Sequence, residues 1–329
     1  MASQRAHSDL SDPALSRTPP TASPHPLVAV LGWELRRVLA SRASWVMAAG
    51  TFGVFVALML LAWWRDNLFT LSTPSGTLSF HYPATSVWGL IVTYPQSPGM
   101  FLGVLLPFVC VAGIARDLNR RTHELLMTTA LPSWAYVWGR YLASLCFSLV
   151  LAGMIFLAIV VVTGLLHLVD SGVYPPVVLS SILAFWMLVV LPPTLLLSGL
   201  SFSLGALLPR RANLVTLGVI LAWFTCGASF WYLVNPNYRD PSAHPSPYVT
   251  WDPTSIAPTF PLERQFVHQV TAAAHTLDMP AVLRYERALQ QTLPDLSAWI
   301  APHVVWAAVG IAAVGIACLA FRRFRGAVS

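Results

Sequence analysis

The residues best placed to do chemistry lie in one short stretch, 116–133, between two apolar segments. Its charged and hydrogen-bonding side chains are Arg116, Asp117, Arg120, Arg121, Thr122, His123 and Glu124. On a helix the charges would lie mostly on one side, with Leu118, Leu125 and Leu126 facing elsewhere, and Pro132 would end that helix. The stretch therefore predicts a short amphipathic helix that pairs charges with a partner. A solvated loop is the alternative, but it would not need apolar residues at helical spacing.

Catalytic chemistry finds little support in the rest of the sequence. Every basic residue is an arginine, so a phosphate-binding P-loop, a pyridoxal Schiff base and a Ser–Lys dyad all lack their lysine. Neither an HExxH pair nor a GxSxG turn occurs. His268 and His275 could share a helical face, but two histidines without further ligands do not make a metal site. We therefore predict no catalytic residue, no cofactor site and no metal ligand on this chain.

The composition indicates a membrane protein. Of the 329 residues, 56% are hydrophobic and 10% are charged, and the mean hydropathy is +0.65. An ordinary soluble domain carries about 25% charged residues, and a core of this size cannot bury so much apolar surface. The four cysteines all fall in apolar segments without disulfide or zinc spacing, so we interpret them as small apolar side chains.

A helix needs about 20 apolar residues to cross a bilayer, and six segments qualify. They lie at about 44–64, 99–115, 141–166, 177–208, 213–234 and 301–321. Pro192 and Pro193 should kink the long fourth segment. The second, fourth, fifth and sixth segments have no ionisable residue in their middles, which disfavours an ion-coupled carrier. The predicted fold class is an all-α polytopic integral membrane protein.

The arginine distribution predicts the orientation and the domain order. With a cytoplasmic N-terminus, the inner segments hold 14 arginines and 5 acids, and the outer segments hold 5 arginines and 8 acids. The predicted parts are a disordered cytoplasmic tail (1–25), an amphipathic interfacial helix (26–43), five spans with the 116–133 helix (44–234), an external loop (235–298), the sixth span (299–321) and a cytoplasmic tail (322–329). Within the external loop, the apolar pattern over 262–293 permits two helices divided at Pro280.

The stretch 115–141 resembles the ABC-2 type permeases, the membrane subunits of ATP-binding-cassette exporters. That family shows an acidic residue, a Gly-Thr-x-Glu-x-Leu-Leu-type run, a Pro-Ser turn and a Gly-Lys pair at the next span. The matching residues here are Asp117, then Thr122, Glu124, Leu125 and Leu126, then Pro132 and Ser133, and then Gly139 and Arg140. The sequence departs from the pattern at Arg121, where a glycine is usual, and at Asp117, where Glu is usual.

The resemblance implies a function and a set of partners. The chain would be the permease subunit of an exporter in the plasma or inner membrane, surrounded by lipid, with both termini cytoplasmic and no nucleic-acid partner. Two permeases, as a homo- or heterodimer, would form the pathway, and separate ATP-binding subunits would bind and hydrolyse ATP, so this chain would hold no cofactor. The 116–133 coupling helix would sit in a cleft of the ATPase through the charged residues above and Pro132. The alternative is a membrane-anchored subunit or enzyme of a larger assembly without a transport role, whose catalytic group would lie in 235–298.

Overall fold

The protein is built almost entirely of helices, in agreement with the predicted class. The computed structural model describes residues 25–64, 68–73, 76–81, 85–93, 96–119, 131–172, 174–234 and 247–326. Its helices are α1 (Pro26–Ala40), α2 (Arg42–Trp64), α3 (Val87–Thr93), α4 (Gln96–Asn119), α5 (Ser133–Val169), α6 (Leu179–Leu207), α7 (Ala212–Val234), α8 (Thr259–Thr276), α9 (Met279–Gln291) and α10 (Ser297–Gly326). Short 3-10 turns occur at Pro209–Arg211 and Pro247–Trp251.

A small antiparallel hairpin adds to this helical fold. Its strands are β1 (Leu68–Thr73) and β2 (Gly76–His81), with Leu68 opposite His81 and Thr73 opposite Gly76. The sequence analysis did not predict this hairpin. Alternating Phe, Leu, Thr and Ser residues favour extended structure there, because branched and aromatic side chains pack well on a pleated surface.

Five helices are long and apolar enough to cross a membrane: α2, α5, α6, α7 and α10. Within the described residues α4 has a shorter apolar part, Pro98–Ala112, so it falls short of the same criterion. Large apolar side chains on the long helices face outward, among them Val54 on α2, Val161 on α5, Leu217 on α7 and Ile316 on α10. Exposed apolar surface on several spanning-length helices is what a multi-pass membrane protein presents to lipid.

Helix α6 confirms the expected irregularity near the two prolines. A π-helical turn, Trp186–Val190, separates the α-helical parts Leu179–Phe185 and Leu191–Leu207. Pro192 and Pro193 follow this turn after one residue, Leu191, and lie in the first turn of the second part. The wide turn absorbs the clash of the proline rings with the preceding carbonyls, so the chain stays helical over all 29 residues.

Close contacts through glycine place α6 at the centre of the bundle. A Cβ on Gly199 would overlap the backbone of Gly310 on α10, and a Cβ on Gly205 would lie 2.8 Å from the carbonyl oxygen of Val111 on α4. Small residues let membrane helices approach until their backbones touch, which maximises van der Waals contact. Glycine thus fixes α6 against both neighbours.

At the end of the bundle opposite α1, helices α8 and α9 cover α3. Trp88 of α3 is 2% exposed and packs against Phe266 of α8 with the two rings tilted and their centres 5.3 Å apart. It donates its indole N–H to the carbonyl oxygen of Leu289, 2.9 Å away on α9. Two helices occur over 262–293, as the apolar pattern permits, but they divide at residues 277–278 and Pro280 lies in the first turn of α9. These three helices form a packed cap on the spans.

Candidate functional site

The stretch with the family resemblance is described only at its two ends. Arg116 and Asp117 lie in the last turns of α4, which continues to Asn119, so the helix begun at Gln96 runs on through the predicted start of the coupling helix. No proline separates these turns from the apolar part of α4, and the helix continues through Gly113. Arg120, Arg121, Thr122, His123 and Glu124 lie outside the described residues.

The other end of the stretch is the buried start of α5. Pro132 is the N-cap residue, and its carbonyl oxygen accepts the backbone N–H groups of Ala135, at 3.0 Å, and Tyr136, at 3.2 Å. Ser133 and Ala135 are buried. Pro132 therefore lies at the entry to α5, where the fixed φ of a proline fits the start of a helix.

A buried ion pair joins the head of α5 to α1. The guanidinium of Arg140 lies 2.6 Å from the carboxylate of Glu34, and the guanidinium of Arg37 lies 3.5 Å from the same carboxylate. Arg140 is 3% exposed and Glu34 is 6% exposed. Two charges removed from water stabilise each other only when their geometry is close, as it is here, and removing Glu34 would take away the carboxylate that both guanidinium groups face.

Aromatic rings enclose the guanidinium of Arg140. It lies 5.3 Å from the ring centre of Trp33 on α1 and 5.4 Å from that of Tyr136 on α5. A guanidinium over an aromatic face gains cation–π attraction, and this gain grows as water is excluded. Together with Glu34, the two rings hold the charged group in one place.

Gly139 makes the approach of α1 to α5 possible. A Cβ on Gly139 would lie 2.7 Å from Cγ1 of Val30, too close for any other residue without displacement of α1. Gly139 and Arg140, the pair that matches Gly-Lys in the family pattern, thus form the docking point for α1. The sequence identified the pair, but it gave Glu34 only as part of a polar helix face. We call Trp33, Glu34, Tyr136, Gly139 and Arg140 the α1 anchor.

A second cluster of reactive groups lies at the opposite end, between the loop before α8 and the start of α10. Oγ of Ser255 is 2.8 Å from Nε2 of His303, and Nδ1 of His303 is 2.6 Å from the carbonyl oxygen of Trp299. A carbonyl only accepts, so Nδ1 carries a proton, and in the neutral form of the ring Nε2 accepts the hydroxyl proton of Ser255. This is the contact by which a histidine activates a serine nucleophile.

The burial and the partners of this pair favour a structural role. Ser255 is fully buried, His303 is 2% exposed, and Ser255 has a backbone φ of 63°, which a serine adopts only where its surroundings impose it. Asp252 does not reach His303 by any described hydrogen bond. Its carboxylate instead accepts the N–H groups of Thr254, Ile256 and Ala257 at 2.8–3.0 Å. These contacts form a compact turn that seats Ser255 against α10.

The pKa values of two acids at this end are raised by burial. Desolvation raises the pKa of Asp252, although the hydrogen bonds from Ala257, Thr254 and Ile256 oppose the shift. Burial likewise raises the pKa of Glu286 on α9 to about 7, against the lowering effects of its hydrogen bond to Gln290 and of nearby Arg287. Glu286 is thus a carboxyl group that changes charge near neutral pH.

Among the described residues no group of three or more His, Cys, Asp or Glu could hold a metal ion. His268 and His275 both lie on α8 without a further ligand near them in that part of the chain. The fold and these sites define a helical, multi-pass membrane protein with a buried ion pair at one end of the bundle and a buried serine–histidine contact at the other. No protein-family model matches the chain, and no curated protein sequence matches it.

Proposed function

We propose that the chain is a permease subunit of an ATP-binding-cassette exporter, and that 116–133 couples it to a separate ATPase. The observation that carries this proposal is the α1 anchor, which locks α1 to the head of α5 directly after the predicted coupling stretch. A force applied at 116–133 would reach α4, α5 and α1 together, because the buried ion pair and the close contact at Gly139 leave little room for independent movement.

In this proposal the chain crosses the membrane six times, through α4 and the five long helices. Pro98–Ala112 would reach across if the helix continues apolar to Ala115, as the sequence does. We place α1 at the cytoplasmic surface, with Trp33 and Arg36 exposed there, and α8 and α9 outside. A second permease subunit would complete the pathway, and ATP would bind only to the partner ATPases.

The decisive experiment compares two acid-to-alanine variants of the full chain. Glu124→Ala removes the acid of the family motif, and Asp278→Ala removes an exposed acid at the start of α9 that makes no capping hydrogen bond. Each variant is expressed in cells that supply their own ATPases. We then measure whether a P-loop ATPase co-purifies with the chain and how fast that ATPase hydrolyses ATP.

We expect Glu124→Ala to lose the ATPase or to uncouple hydrolysis, because truncating one member of a desolvated charge pair costs about 2–5 kcal/mol. We expect Asp278→Ala to behave as wild type. If no P-loop ATPase accompanies the wild-type chain, the permease proposal is wrong. If the ATPase binds and both variants match wild type, the coupling role of 116–133 is wrong.

The alternative function is a membrane-anchored enzyme or subunit without a transport role, and the Ser255–His303 contact is the observation that favours it. A fluorophosphonate probe reacts covalently with an activated serine and tests this directly. Labelling of the wild-type chain that disappears in Ser255→Ala would support the enzyme. The burial of Ser255 leads us to expect no labelling.

A further inference from the structure

An open cleft of about 260 Å³ lies where α1, α2, α4 and α5 meet, beside the α1 anchor. Charged and hydroxyl groups line its mouth: Glu34, Arg37, Arg140, Ser41, Ser44 and Ser144. Apolar side chains line its other end, chiefly Met47, Phe108 and Phe147. The cleft is therefore amphipathic, with a polar end and an apolar end.

The change from polar to apolar follows the direction of the spans. On α2, Ser44 precedes Met47 by about one turn, and on α5, Arg140 precedes Phe147 by about two turns. Both helices run from this end toward the middle of the bundle. Phe108 on α4 is 60% exposed, so the apolar end opens sideways toward the surrounding lipid. A ligand in the cleft would have its polar group at the membrane surface and its apolar part in the hydrocarbon.

The net charge of the residues at the mouth determines whether the polar group of a ligand there should be an anion or a cation. Two guanidinium groups, of Arg37 and Arg140, face one carboxylate, of Glu34, so the lining carries a net positive charge. Arg140 is closer to Glu34 and buried, whereas the side chain of Arg37 keeps 35% of its surface exposed. Arg37 is thus the group that can meet an anion, and a guanidinium binds phosphate oxygens in two parallel hydrogen bonds.

We propose that this cleft binds an anionic phospholipid of the surrounding bilayer. The phosphate lies against Arg37 and the nearby serine hydroxyls, and one acyl chain follows Met47, Phe108 and Phe147. The bound lipid fills the gap between α1 and the spans, so that α1 rests on both protein and lipid. This site depends on the chain crossing a membrane and not on its being a permease.

The test uses the purified full chain, without any ATPase, and native mass spectrometry in detergent. Phosphatidylglycerol and phosphatidylcholine of the same acyl composition are added separately, and the bound fraction of each is measured over a range of concentrations. We expect the wild-type chain to hold phosphatidylglycerol more tightly. Arg37→Gln should weaken that binding about fivefold, since one arginine near an anionic surface contributes an interaction of about this size. Arg36→Gln removes an equal charge from an exposed neighbour that does not line the cleft, and should have less effect.

A second pair of variants tests the apolar part of the cleft without changing any charge. Ala112→Phe places a ring in the cleft, and Ala308→Phe places the same ring on an exposed face of α10. We expect loss of bound phosphatidylglycerol only for Ala112→Phe, with both variants retaining the helical circular-dichroism signal of wild type. If Arg37→Gln does not fold, this second pair decides the question.

Two results would overturn the proposal. Equal binding of phosphatidylglycerol and phosphatidylcholine by the wild-type chain would remove the role of the positive mouth. The second result is an equal loss of phosphatidylglycerol binding in Arg37→Gln and Arg36→Gln, together with unchanged binding in Ala112→Phe. It would show that the arginine-rich end attracts anionic lipid in general and that the cleft is not a specific site. A missing ATPase partner would leave this result untouched, so the two proposals fail separately.

Discussion

The guanidinium of Arg140 lies 2.6 Å from the carboxylate of Glu34, and both side chains are buried where α1 crosses the head of α5. These two residues are far apart in the sequence, and their contact ties the first described helix to the bundle. The pair also forms one wall of the cleft at this end. The α1 anchor is therefore the point on which both the proposed coupling and the proposed lipid site depend.

Removal of one partner of this pair should destabilise the protein strongly. We expect Glu34→Met alone to cost about 3–5 kcal/mol, because it removes the carboxylate that faces the buried guanidinium of Arg140. Arg140→Met alone should cost less, because Arg37 still lies 3.5 Å from the Glu34 carboxylate. The double variant should recover much of that loss, since two apolar side chains replace two buried charges. Thermal unfolding in detergent measures all three. Additive losses in the double variant would show that the two residues do not act as a pair.

The crossing of α6 and α10 should tolerate no side chain at Gly199. Gly199→Ala places a methyl group against the backbone of Gly310, and overpacking of this kind costs about 1–3 kcal/mol. Gly153→Ala on α5 is the matched control, because a Cβ there meets nothing within 4 Å. The control should unfold at the wild-type temperature or slightly above it. Equal unfolding temperatures for the two variants would contradict the close crossing.

The stability of the cap formed by α3, α8 and α9 should fall as the pH rises toward neutrality. The folded-state pKa of Glu286 is raised from 4.5 to about 7 by burial, so between these pH values the folded protein holds a proton that the unfolded chain has released. Stability must then decrease with rising pH across this window and level off above it.

Glu286→Gln should flatten this part of the pH profile, because glutamine cannot ionise. The raised pKa of Asp252 also makes stability fall with rising pH. Glu286→Gln keeps this contribution, which therefore serves as an internal reference. Unfolding temperatures measured from pH 4.5 to pH 7 in one buffer series provide the test. A profile unchanged by the substitution would assign the dependence to other groups.

The proposed topology can be tested by labelling single cysteines in intact cells. The background lacks Cys110, Cys146, Cys226 and Cys318, and one cysteine is introduced at either of two exposed positions. Leu277→Cys, between α8 and α9, should react with a membrane-impermeant maleimide, and Arg36→Cys on α1 should react only after the cells are opened. The reverse pattern would invert the orientation that the arginine distribution predicts.

The sequence by itself determined the class of this protein and much of its helical layout. Hydropathy over about 20 residues identifies a spanning helix from local composition alone, and all five long apolar helices fall at predicted segments. The break in α6 was also predictable, because two adjacent prolines cannot continue an undisturbed helix wherever they lie. The resemblance to the ABC-2 type permeases singles out Gly139 and Arg140 from the sequence alone.

Only the tertiary structure decided which distant residues meet. Glu34 contacts Arg140, Gly199 contacts Gly310 and Ser255 contacts His303, each between elements that are far apart in the chain. Periodicity places a side chain on a face of its own helix but does not say which helix covers that face. The β1–β2 hairpin was missed for a related reason, since a short strand depends on its partner for stability. Pairing and burial are properties of the packed chain, so the anchor, the cleft and the serine–histidine contact could be seen only in the assembled fold.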